Sequence, residues 1–313
     1  MGVSLTSSIL IYLSPRPPQS ATMERKICIL LALLRIVSSA RGLPKPSRKI
    51  SSVHAKRTIV NLRGGDLGPV KGKTLATAFS VLAGGDAICG TLMPQTSMSW
   101  FGIYIPKDSL SHKYLHGIGA SAATIAAANL LALSGKTSVE RAIGYGVAAR
   151  ILSMTLMMLA NDERVVGMTL KAFGVAWAVL VLIVYSLFSG SGDALALTKV
   201  ASIVLGIHGL YLYLKPDTIL KRTSISVGPD PLIKEILSID GAYMFASAMT
   251  TGLLANGVDP VKVVGFTAIC FVPVLLKFFE VSEAQKPWGT LEQLAGMSAM
   301  SFTALVIVGT LND

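Results

Sequence analysis

The chain has 313 residues, 52% of them apolar and only 14% charged, with a mean hydropathy of +0.61 and a formal net charge of +11. A soluble domain carries about a quarter charged residues, so this composition argues against one and for a polytopic membrane protein. Residues 1–73 hold 13 Lys and Arg against only Glu24 and Asp66, whereas the rest of the chain balances 15 against 15. The basic excess is thus confined to a leader, which excludes a nucleic-acid-binding surface on the folded body.

The leader comes first. From Met23 the sequence reads MERKICILLALLRIVSSARG, a basic start followed by the apolar run 27–34 and by small residues at Ser38 and Ala40. This is the grammar of a secretory signal over 23–40, with Met1 or Met23 as the start. Between Arg41 and Asp66 lie seven basic residues and no acid, in a Ser-rich stretch that ends in LRGG at 62–65. A signal followed by a basic, acid-poor segment resembles the bipartite (signal plus transit) presequence of algae with secondary plastids. That resemblance implies delivery to a plastid membrane. Arg41, where those presequences usually place an aromatic residue, keeps the endoplasmic reticulum and later secretory membranes as the alternative.

Eight apolar stretches follow, at 74–93, 114–134, 142–160, 168–188, 197–214, 234–255, 261–279 and 291–311. Each is long enough for a hydrocarbon core of ~30 Å at ~1.5 Å per residue. In lipid the backbone must satisfy its own hydrogen bonds, so an all-α, eight-span fold is expected. The stretches also repeat. Sliding the chain by 122 residues aligns 75–184 with 197–306 without a gap, matching LMPQT (92–96) to LKPDT (214–218) and the GA of 119–120 to that of 241–242. Two tandem four-helix repeats are therefore predicted, over 74–190 and 191–313. An even number of spans per copy makes them parallel. Basic residues flanking the spans number ten on the side that follows the first helix and six on the other, which predicts the former side to be cytosolic or stromal. The small four-helix units resemble DoxX-like membrane families, a likeness that carries no diagnostic motif and transfers no function.

Several repeated residues have packing explanations. Ser80 and Gly84, with Ser202 and Gly206 in the second copy, form small-xxx-small faces that let helices approach closely. Asp108 and Asp230 precede the second helix of each copy as expected N-caps. Trp100, Tyr104 and Trp288 lie near span ends, as interfacial anchors do. Cys89 and Cys270 sit in spans and Cys28 in the leader, so no disulfide framework is expected.

The ionisable residues within the spans carry the functional question. The segment GGDAICG (84–90) places Asp86 in the first span, and its partner at a spacing of 122 is His208. Asp240 enters the sixth span to a similar depth, Arg150 lies mid-span in the third, and His116 lies one turn shallower in the second. A lone charge at mid-bilayer costs about 2.5–3.5 kcal/mol, so pairing is expected: Asp86 with Arg150 or His116, and His208 with Asp240. Such groups serve either as polar glue or as a substrate or proton path between the repeats. Asp108, His112 and His116 recur at helical spacing, but no third firm ligand completes a metal site. No catalytic set, cofactor motif or metal site is identified. The expected activity is a small-molecule or ion carrier, with a non-catalytic membrane scaffold or assembly factor as the alternative. The expected partners are the lipid bilayer and a helix–helix partner or second copy.

Overall fold

A run of twenty apolar residues has only one way to bury its backbone polar groups in a bilayer, and the described chain adopts it almost throughout. The computed structural model describes residues 71–99, 103–105, 109–160, 170–222, 232–285 and 289–312, all within one compact unit. The predicted leader up to residue 70, the expected caps Asp108 and Asp230, and Trp100 and Trp288 lie outside these residues, while α1 takes in Gly72 and Lys73 from the leader's expected end. Among the described residues there is no strand. The helices are α1 (Gly72–Leu92), α2 (Pro94–Ser99), α3 (Leu110–Ser134), α4 (Val139–Ala160), α5 (Leu170–Ser189), α6 (Ala194–Leu214), α7 (Pro216–Arg222), α8 (Ile233–Ala255), α9 (Pro260–Gln285) and α10 (Thr290–Leu311).

A helix covers each of the eight apolar stretches. Five are long and apolar enough to cross a membrane, over Gly72–Leu92, Tyr114–Ser134, Ala194–Leu214, Pro260–Ser282 and Gln293–Leu311. That is consistent with an integral membrane protein. The other three fall short for visible reasons. The apolar part of α5, Gly174–Ser189, is too short. Helices α4 and α8 have the length but carry Arg150 and Asp240 among serines and threonines. For α8 the reason is position: it packs on α6, α9, α3 and α4, and every residue from Ile236 to Tyr243 is buried. A helix sheathed by protein need not be apolar all round.

Local sequence sets the ends. The Ser109 side chain caps α3 by accepting from the His112 amide at 3.2 Å, one residue beyond the expected cap. Gly135 ends α3 in the left-handed region at φ 66°, where a side chain would be strained. Inside α9, Pro273 leaves a carbonyl one turn earlier without its helical donor.

Packing follows the pairs α1 on α3 and α6 on α8, the two most extensive helix contacts, joined at the centre by α3 against α8. Each pair crosses at glycine. A Cβ on Gly119 would stand 2.7 Å from the Thr91 amide nitrogen, and one on Gly241 would stand 2.6 Å from that of Tyr213. The outward faces remain apolar and exposed, as at Val81, Leu82 and Ile88 on α1 and Val200, Ile203, Val204 and Ile207 on α6. A continuous apolar face of that size suits hydrocarbon rather than water.

Candidate functional site

The groups singled out above gather around α8, but in different partnerships from those predicted. Asp86, half-buried on α1, accepts a hydrogen bond from the Tyr243 hydroxyl of α8 at 3.1 Å. Tyr243 is held in turn by an edge-on contact with Phe271 of α9, with ring centres 4.9 Å apart. Asp86, Gly90, Tyr243, Val274 and Phe278 help line a cavity of about 50 Å³. That is room for a water or two beside the carboxylate.

Arg150 meets α8 one turn further along, at Ser247, four residues after Tyr243. Its Nη1 donates to the Ser121 hydroxyl of α3 at 3.2 Å and to the Ser247 hydroxyl of α8 at 3.3 Å. The residue is only 9% exposed, and among the described residues no carboxylate comes within ion-pairing distance of it. Asp240 is 6% exposed, and its Oδ1 has no hydrogen-bond partner. The carboxylate rests against Gly117 of α3, where a Cβ would meet Oδ1 at 3.0 Å. Arg150 is within electrostatic reach of both Asp240 and His208 but bonded to neither.

The predicted pairs therefore do not form. His116 donates from Nδ1 to the Thr91 carbonyl at 3.1 Å and stacks edge-on with His112, so it fastens α3 to the end of α1 instead of meeting Asp86. His208 is exposed on α6 and does not bond to Asp240. Residue counting gave each group a depth in the bilayer. It gave no rotation about the helix axis, which decides which of these groups face each other.

The residues expected to pack lie at helix contacts. Ser80 is buried, with its hydroxyl donating to the Ala76 carbonyl, and Ser202 pairs with Thr251 at 2.8 Å. A Cβ on Gly84 would meet Ala126, and one on Gly206 would meet Ala248, both at ordinary contact distance. The tightest approaches fall instead at Gly119 and Gly241. Among the described residues no group of three His, Cys, Asp or Glu side chains is placed to hold a metal ion.

Sequence reasoning passed over several residues that matter here. Tyr243 follows Asp240 by three residues, one turn on, and that spacing was the available signal. Ser121 and Ser247 carry no pattern that sets them apart from the other small residues of their helices. Asn129 is fully buried with neither side-chain polar atom bonded. Lys277, counted as a flanking base, is 3% exposed and held by Glu235 at 2.5 Å and Glu280 at 2.8 Å. No protein-family model, curated protein or solved structure matches this chain.

Proposed function

We propose that the chain is an eight-span membrane protein of two parallel four-helix repeats, 74–190 and 191–313, that carries a small molecule or ion through a polar site where the repeats meet. Support for the repeat comes from details recurring 122 residues apart. Met93 closes α1 at φ −139°, ψ 56° and Lys215 closes α6 at φ −135°, ψ 55°. Gly135 and Gly257 both take positive φ, 66° and 74°. The His116 bond to the Thr91 carbonyl has its counterpart in the Ser238 bond to the Tyr213 carbonyl. The glycine crossings at 119 and 241 correspond as well.

The observation that carries the function is the unused hydrogen-bonding capacity inside this junction. Asp240 Oδ1 has no partner, and Arg150 uses only one of its three nitrogens. Each unsatisfied buried group costs about 1–3 kcal/mol. Polar glue closes its own network, whereas a binding site leaves positions for its ligand. The test is flux into proteoliposomes challenged with a panel of carboxylates, amines and inorganic ions. Asp86→Asn and His208→Gln are expected to abolish flux while the thermal transition is kept. A panel with no flux in the wild-type protein would sink the reading.

A membrane scaffold is the second reading. It is favoured by the exposure of His208 on a face that also carries Ile203, Val204 and Ile207, which a partner helix would cover. On that reading His208→Gln lowers partner recovery. The leader is proposed to direct the protein to a plastid membrane, with the endoplasmic reticulum and secretory membranes as the alternative. A fluorescent fusion beginning at Met23 decides between them.

A further inference from the structure

Residues that line the cavity beside Asp86 have counterparts 122 positions away that are more exposed. Val274 and Phe278, which wall the Asp86 cavity, are 1% and 4% exposed, while their counterparts Leu152 and Leu156 on α4 are 61% and 39% exposed. Asp86 is half-buried and His208 exposed. Helix packing accounts for the difference. Both α9 and α10 lie on α1, whereas α5 touches α6 only slightly and α4 makes no comparable contact with it. His208 on α6 and Leu152 and Leu156 on α4 are therefore left uncovered, while Arg150 on α4 is buried.

Arg150 is prepared for a ligand that the chain does not supply. Ser121 and Ser247 hold Nη1 and so orient the guanidinium plane. Among the described residues, Nε and Nη2 make no hydrogen bond and no carboxylate pairs with the group. Those two nitrogens form the edge that takes a carboxylate through two parallel N–H···O bonds. Asp240 lies within electrostatic reach but does not bond the group, so the donors of that edge are left for an arriving anion.

We propose that a small carboxylate binds on the Nε–Nη2 edge of Arg150, with His208 within electrostatic reach. This assigns a substrate class to the junction and rests on the carrier reading above. The unpartnered acceptor Asp240 Oδ1, within electrostatic reach of the arginine, favours a carboxylate that also bears a hydrogen-bond donor.

Binding separates the two claims, because it needs no flux. The full chain in nanodiscs is titrated with sodium lactate, acetate, octanoate, phosphate and chloride at constant ionic strength, reading thermal stabilisation. Lactate is expected to bind most tightly and acetate less so, while octanoate tests entry from the bilayer. Arg150→Lys keeps the charge but loses the fork, and is expected to weaken lactate at least about tenfold. Ser247→Ala, which loosens only the orientation, is expected to weaken it several-fold while the protein stays folded. Stabilisation by chloride and phosphate as strong as by carboxylates, or lactate binding unchanged in both variants, overturns the proposal. Carboxylate binding without flux leaves the proposal standing and removes the carrier. Flux of another solute that is indifferent to Arg150 does the reverse.

Discussion

The two flanks of α8 make the same kind of site under different conditions. On the α1 flank, Asp86 bonds Tyr243 over a small cavity that α9 closes with Val274 and Phe278. On the α6 flank, His208 stands exposed, the positions corresponding to Val274 and Phe278 face outward, and Arg150 is bonded only to serines. One flank is satisfied by its own residues and shut. The other is open and holds donors in reserve. The difference lies in a few side chains and in which helices cover each group. A paired polar group closes a site, and an unpaired one marks where a ligand has to complete it.

The largest expected effect tests whether the flanks are equivalent at all. Gly119→Val and Gly241→Val should each destabilise by about 3 kcal/mol, since a side chain would overlap backbone at both crossings. Thermal unfolding in detergent checks this, and a loss confined to one variant would break the comparison. Next comes the ion cluster on the closed flank. Lys277→Thr installs the residue type found at 155 and should cost about 1–2 kcal/mol, limited by the partial exposure of Glu235 and Glu280. The converse change, Thr155→Lys, should bring no comparable gain, because no acid awaits it at Lys113 or Met158.

The hydrogen bonds of the two flanks should cost similar amounts. Tyr243→Phe and Ser121→Ala each remove one partner of a buried ionisable group, about 1 kcal/mol apiece in the same unfolding assay. The smallest effect on stability belongs to His208. His208→Gln should change it by less than about 0.5 kcal/mol, as an exposed side chain does, while flux is lost. Destabilisation beyond that would mean that the open flank is not open in the membrane.

Much of the helical plan was legible because its causes are local. Apolar runs, Gly135 and Gly257 past helix ends and prolines at helix starts act over a few residues. The identity of GA at 119–120 and 241–242 was visible as well, although its reason, a backbone crossing, was not. The expected cap moved from Asp108 to Ser109 because a helix start depends on which hydroxyl reaches the free amide. The partners of the ionisable groups were out of reach. Tyr243 meets Asp86 across a sequence separation of 157, and no local pattern announces it. In a soluble helix a polar face betrays which side turns inward. Helices α1, α4 and α8 are so evenly apolar or evenly mixed around their circumference that they carry no such mark.

The sequence by itself determined that the body is helical and apolar enough to suit a bilayer, and how far along its helix each of Asp86, Arg150, His208 and Asp240 lies, because residue count sets height along a helix. The tertiary structure decided which groups meet, which flank closes and that Arg150 keeps a free edge. Those outcomes follow from the rotation and lateral placement of whole helices. Glycine crossings and side-chain shape settle such placement, since hydrocarbon on every side gives an apolar surface no preferred direction.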